Sequence, residues 1–381
     1  MKDAFARQGV VLGPEVNPAR IAPDAVIHAG CRIRGAQTSI GPGCVLGAEA
    51  PVTIENCRLG RGVKLKGGFF SGAVFLDGAN MGSGAHVRAG TILEEEANGA
   101  HAVGLKQTIL LPFVTLGSLI NFCDILMAGG TSRKDHSEVG SSYIHFNYTP
   151  HQDKATASLV GDVPRGVLLN QKPIFLGGQG GLVGPARIAY GTVIAAGGVC
   201  RQDVLDENHL HIPAAPAGQT VPYEPGVYKK IGRIVKNNLI YIGNIKALKA
   251  WYENVRILFI RDAFDRAVFD GALENLDLIL AERVKRLEQL ADKAGEAFSN
   301  VWKNEGVQAQ PASRVWKTLR ARLEAPLDTV ANAGLMSEVE RADHTDYIAA
   351  LQNLGEGARA GAAAWLQSIV DETAVYGEPS R

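Results

Sequence analysis

The residues best able to do chemistry crowd into one stretch of this chain. Four of the nine histidines, His101, His136, His145 and His151, fall between Glu94 and Leu182, with Arg133, Lys134, Asn147, Tyr148 and Lys154 among them. An imidazole with an unperturbed pKa of about 6.5 suits proton transfer near neutral pH, or makes structural hydrogen bonds in a loop. Asparagine and tyrosine can donate hydrogen bonds to a carbonyl or a sugar hydroxyl. Clustered arginine and lysine suit a phosphate, or form a solvated patch of charge. Further on, Phe175-Leu-Gly-Gly-Gln-Gly-Gly-Leu-Val-Gly184 is rich in glycine. Gly178, Gln179, Gly180 and Gly181 could offer backbone N–H groups to a phosphate or a cofactor, or could simply turn a tight corner.

The elements that must position these residues announce themselves by period. Apolar residues recur about every six positions at Ile21, Ile27, Ile33, Ile40, Leu46, Val52, Leu59 and Leu65, then at Val87 and Leu93. The ladder resumes at Val183, Ala189 and Ala195. Neither an amphipathic helix nor an alternating strand has that period. A solenoid of short strands does, because each apolar residue then stacks on the one a coil below. The spacing predicts a β-helix over 1–204, interrupted by an inserted loop region at about 94–182 that holds the candidate site.

Glycine and tryptophan mark a second region. Of 44 glycines, 33 precede residue 223, while all four tryptophans follow residue 250. Prolines in His209–Gly226 disfavour both helix and central strand, so 205–227 is expected to be an extended linker. An α-helical domain is expected over 228–381. Ile231, Ile234, Val235, Ile242, Ile245, Leu248, Trp251 and Val255 keep helical spacing with a possible break near Gly243, and Val268 to Phe298 do so again. Shorter helices are expected around 313–324 and 337–372. Residues 228–261 carry eight Lys/Arg against the single acid Glu253, which reads as a solvated helix face or as a surface for phosphate or an acidic partner.

Composition narrows the class. Formal net charge is zero over 381 residues, which gives no sign of nucleic acid or a membrane surface as partner. No apolar run is long enough to span a bilayer, and the N-terminal residues lack the apolar core of a signal peptide. Five cysteines without a Cys-x-x-Cys pair read as small buried residues rather than disulfides or ligands. A soluble protein of a reducing, cytoplasmic compartment is expected.

The hexads that begin Ile-Gly, Leu-Gly or Val-Gly resemble the left-handed parallel β-helix of the hexapeptide-repeat acyltransferases. Within that family the order Lys134-Asp-His136, Glu138-Val-Gly140, Asn147-Tyr148, Lys154-Ala-Thr156 and Gly161-Asp162-Val163 is similar to the acetyltransferase half of the bifunctional enzyme that makes UDP-N-acetylglucosamine. Pro112-Phe113 and Asn121-Phe122 look like its upstream pieces. Asn147-Tyr148 is followed here by Thr149-Pro150-His151, where that enzyme has Asp-Gly, and its nucleotide-binding loop has no counterpart here. The resemblance covers roughly 20–204. It implies a homotrimer with sites between neighbouring β-helices, and acetyl-CoA-dependent N-acylation of an amino sugar that is phosphorylated or nucleotide-linked. It makes His136 the base and places Asn147 and Tyr148 in the acceptor pocket. Arg133, Lys134 and Lys154 would contact phosphate, with His145 and His151 flanking the acceptor and Gly178–Gly181 touching the cofactor. No metal is expected. Two other readings stay open: a non-catalytic trimeric scaffold, and a zinc-dependent hydratase of the carbonic anhydrase kind, for which the histidines are numerous enough.

Overall fold

The computed structural model describes residues 8–375 apart from 152, 216, 225–226, 229, 306–310 and 327–328. The outer ends of the two expected domains, 1–7 and 376–381, therefore lie outside the described residues. Through residue 211 the chain winds into a parallel β-solenoid of about eleven turns. Its cross-section has three faces. On the first, Leu12, Ile33, Ile54, Phe70, Val87, Leu105 and Phe122 stack in register. On the second, Ile40, Leu59, Phe75, Leu93, Leu110, Met127, Val160 and Ile188 do so. The third runs from Ile27, Leu46, Leu65 and Met81 through Leu116, Val139 and Leu176 to Ile194 and His211.

The six-residue period follows from this geometry. A strand as short as two residues offers one inward side chain, and a corner then turns the chain by a third of a coil. Ile33, Ile54, Leu59 and Phe70 are wholly buried, each contributing about 1.5–3 kcal/mol relative to exposure. Corners need a left-handed residue, and these residues stack in columns. Gly35, Asn56, Gly72, Gly90, Gln107 and Asp124 form the column between the first and second faces, all at positive φ. All five cysteines are free and buried.

Three expectations are corrected. Residues 94–182 are not an inserted loop, because the coils continue through Gly104–Leu110, Asn121–Met127, Glu138–Val139, Ile144–Phe146 and Ser158–Val160. The inward residues there are a mix of aliphatic, aromatic and polar types, and two excursions at the corners stretch the spacing, which hid the period. In the resumed ladder the inward residues are Leu182, Ile188 and Ile194, one position before Val183, Ala189 and Ala195. A strand's side chains alternate, so a shift of one exchanges inside for outside. Finally, Leu210–His211 pairs with Val193–Ile194, so the solenoid runs on into the stretch read as linker.

Helices follow at Ile231–Asn254, Ala263–Ala294, Ala312–Glu324, Ala333–Val339, Tyr347–Gln352 and Glu356–Ala374. Asp262, Asn332 and Asp346 cap theirs by accepting from backbone N–H groups of the first turn. Gly243 does not break its helix. A Cβ there would come within 2.9 Å of the Val370 main chain, so glycine instead lets the last helix pack closely. The helices lie against the second face of the solenoid, tied by Arg58–Glu274 at 2.6 Å, Arg261–Asp77 at 2.6 Å and Arg61–Asp262. Asn275 bridges two coils, donating to the carbonyls of Gly72 and Thr91 and accepting from the Gly90 amide. Much of the basic segment 228–261 is thereby accounted for. Arg233 meets Asp203, Lys249 meets Asp277, Arg256 meets Glu94 and Glu95, and Arg261 meets Asp77.

Candidate functional site

The chemistry-bearing residues occupy three different corners of the solenoid. His136 sits at the corner between the second and third faces. There Gly130–Ser132 and Asp135–His136 form a small antiparallel hairpin, with Gly130 opposite His136. A Cβ on Gly130 would lie 2.5 Å from the His136 Cα, so glycine permits this pairing. The hairpin is clamped to the coils beneath it by Arg133, whose Nη1 donates to the carbonyls of Glu96 and Phe113 and to Thr115 Oγ1 at 2.8–3.1 Å. Helix Tyr347–Gln352 holds its outer side, Gln352 donating to the Thr131 carbonyl at 2.6 Å. His136 is half-buried, and its Nδ1 has no hydrogen-bond partner among the described residues. Lys134 is exposed.

Asn147, Tyr148, His151 and Lys154 lie at the corner between the first and second faces, where residues 147–151 and 153–157 leave the coil. Asn147 donates to Asp124 Oδ2 at 3.1 Å. Asp124 in turn accepts from Arg283 Nη2 at 2.8 Å, and the same nitrogen donates to Gln107 at 2.7 Å. This ion pair is buried on both sides. Gln107 and Asp124 stand where the corner column has glycine in the two coils before them, and both adopt positive φ, at 47° and 60°. Left-handed backbone is costly for most non-glycine residues, and here it aims both side chains at Arg283. His151 packs between Tyr223 and Tyr228, with ring centroids 5.6 and 4.7 Å away. Buried Asp153 accepts from Thr149 at 2.5 Å and from Tyr228 at 3.4 Å, fixing the excursion. Tyr148 is 57% exposed, so its hydroxyl is open to a ligand.

His145 is a different kind of histidine. It points into the solenoid and both its nitrogens are committed, Nδ1 donating to the Cys123 carbonyl at 2.5 Å and Nε2 accepting from Ser158 at 2.8 Å. Burial pushes its pKa down to about 4. The expectation that His145 contacts substrate is corrected by this placement: strand alternation turns it inward between exposed Ile144 and Phe146. His101 is exposed and pairs with Ser118. Among the described residues no three His, Cys, Asp or Glu side chains are placed to hold a metal ion.

Gly178–Gly181 form the third corner, between the third and first faces. Gln179 has positive φ, in column with Ala102, Leu119 and Ser142, and its amide donates to the Ser141 carbonyl at 2.8 Å. Close approach to the adjacent coil demands small residues, since a Cβ on Gly180 would lie 2.8–2.9 Å from the carbonyls of Gly177 and Gly198. The amides of Gln179 and Gly181 bond neighbouring coils, while those of Gly178 and Gly180 have no partner among the described residues. These alternate N–H groups could serve an acceptor on a pantetheine or phosphate group.

Asp124, Gln107 and Arg283 were not singled out in the sequence. The signal was present in the corner column, where Gly72 and Gly90 give way to Gln107 and Asp124. It becomes visible only once the coils are aligned.

The comparisons with known proteins bear on the solenoid. No protein-family model matches the chain. A Bifunctional protein GlmU from Pelobacter propionicus is 28% identical over 208 residues, 53% of this chain and 38% of that protein. The GlmU of Geotalea uraniireducens is 29% identical over 198 residues, 52% and 38% of the two lengths. That of Thermotoga petrophila is 28% identical over 185 residues, 48% and 37%. The chain thus spans less than two fifths of the length of these relatives. Among solved structures, that of an Arabidopsis UDP-N-acetylglucosamine acyltransferase shares 14% identity over 51% of this chain and 67% of its own. Its TM-score of 0.24 makes the likeness too slight to bear on the site. Over its parallel solenoid of hexads, this chain is similar to these GlmU proteins.

Proposed function

We propose that the protein is a CoA-dependent N-acyltransferase whose acceptor is an amino sugar carrying a phosphate or a nucleotide. The observation that carries this reading is the fixing of Asn147 by the buried Asp124–Arg283 pair, in the segment whose order of residues resembles the family's acceptor site. A carboxamide held this way presents its oxygen in a set direction, as recognition of a sugar hydroxyl requires.

In the reaction the acceptor nitrogen attacks the thioester carbonyl. A C–N bond forms and the C–S bond breaks. His136 takes the proton that the nitrogen loses and passes it on to the departing thiolate, so that free thiol leaves. Charge developing on the carbonyl oxygen needs donors, and Tyr148 and the free amides of Gly178 and Gly180 are suited to supply them. Arg133 is occupied with main-chain carbonyls, so phosphate contact falls chiefly to Lys134 and Lys154. Acetyl-CoA supplies the acyl group.

These groups lie at different corners of one solenoid, and a single chain offers convex surfaces rather than a cleft between them. Their separation supports a site shared by neighbouring copies in a homotrimer, each giving one corner. Release of free thiol from acetyl-CoA, screened over amino sugars, their phosphates and their nucleotide conjugates, tests the activity. We expect turnover with at least one phosphorylated or nucleotide-linked acceptor, and a fall of at least 100-fold in His136→Ala. Turnover untouched by His136→Ala removes that residue as base. No turnover and no CoA binding would favour the scaffold reading.

A further inference from the structure

A cavity of about 500 Å³ lies between the second face of the solenoid and the helices, away from the Asn147 corner. Its floor is Leu76–Gly78 with Glu95 and Glu96. Its walls are the turn Arg256–Phe259, the start of the helix at Ala263, and residues 344–348. That volume is in the range that small-molecule sites occupy. Half-exposed Phe259, Ile260 and Ile348 turn apolar surface into it, beside Tyr252, Phe269 and Tyr347.

The charge around this cavity does not balance. Arg256 is shared by two carboxylates, Glu94 and Glu95, at 2.7–3.0 Å. Arg261 is likewise shared by Asp77 and Asp265, and Arg61 also reaches Asp265 at 3.5 Å, so three arginines face Asp77, Glu94, Glu95 and Asp265 before Glu96 and Asp346 are added. Glu96 and Asp346 also line the cavity without an ion-pair partner among the described residues, the Asp346 carboxylate accepting only from a backbone amide of its own helix. Burial raises the Glu94 and Asp77 carboxyls above the usual carboxylate range, against the opposing pull of Arg256 and Arg261. The wall already shows how a cation is held here. The Arg256 guanidinium lies 3.9 Å from the Tyr347 ring centroid and 4.9 Å from that of Tyr252. Its Nε is buried with no hydrogen-bond partner, although the residue is only 7% exposed.

We infer that this cavity binds a small organic cation, an amine with an apolar or aromatic body. Its ammonium group is met by Glu96 and Asp346 and its body by Phe259, Ile260 and Ile348. Carboxylates lining the same space oppose a phosphate or a nucleotide. The cavity adjoins the coil and helix that hold the His136 hairpin, but its ligand chemistry is a different one, and the inference does not rest on the acyl-transfer reading.

Calorimetric titration of the full chain with 2-phenylethylamine and with its neutral analogue 2-phenylethanol tests this. Saturable binding of the amine, at least tenfold tighter than the alcohol, is expected. The double variant Glu96→Gln, Asp346→Asn should lose at least tenfold in amine affinity while melting as the wild type does, since asparagine caps a helix as well as aspartate. The inference is overturned if neither compound binds at millimolar concentration. Equal binding of the two compounds, or undiminished amine binding in the folded double variant, would overturn it as well.

Discussion

His136, His145 and His151 are alike in the sequence and unlike in the molecule. One stands on a hairpin, one is locked in the core and one lies between tyrosine rings. Which is which depends on the strand phase through Ile144–Phe146, and that phase could be read only after the coils were aligned. The buried one has a measurable signature. The folded-state pKa of His145 is lowered from 6.5 to about 4, so the stability it contributes is present above 6.5 and lost as pH falls through 4. Glu94 acts in the opposite sense, because burial raises its carboxyl. Its contribution is full below the unfolded value near 4.5 and is lost as pH rises through the raised folded-state value. The two offset each other in the intact protein, so the difference between wild type and His145→Asn is the quantity to follow. Measured by urea denaturation, the advantage of wild type should shrink by about 3 kcal/mol between pH 7 and pH 4. A pH-independent difference would show that His145 is not held neutral.

At the scale of elements, the first eight rungs were legible because their inward residues are nearly all isoleucine, leucine or valine at unbroken spacing. The later rungs were obscured by polar inward residues, by the excursions at 130–136 and from Asn147 to His151, and by apolar residues such as Val183 that face outward. The helices were legible from their period, but not what they pack against, since a charge pattern does not name its partner. Helix Ala263–Ala294 reaches the candidate site through Arg283, which donates to Asp124, and through Lys293, which donates to the His151 carbonyl. Arg283→Met should leave Asp124 buried without its counter-charge and cost about 3–5 kcal/mol in chemical denaturation. Adding Asp124→Asn should restore part of that loss. A cost below about 1 kcal/mol for Arg283→Met would contradict a buried, mutually dependent pair.

On the scale of the whole molecule, the solenoid fixes three corners and the helices cover the face between two of them. Three groups of site residues, at His136, at Asn147 and Tyr148, and at Gly178–Gly181, are thus carried apart by one rigid body. The family resemblance in the sequence named residues in all three groups, but it could not show that a single chain keeps them separate. No described helix is long and apolar enough to cross a membrane. The central claim is that these corners meet between copies in acyl transfer. Co-refolding His136→Ala with Asn147→Ala in equal amounts, then following thiol release from acetyl-CoA with the accepted amino sugar, tests it directly. Each variant alone should be nearly inactive. The mixture should recover about a quarter of wild-type activity, because random assembly in a three-fold ring rebuilds that fraction of sites from intact corners of two different chains. A mixture no more active than its two components would contradict a site shared between neighbouring copies.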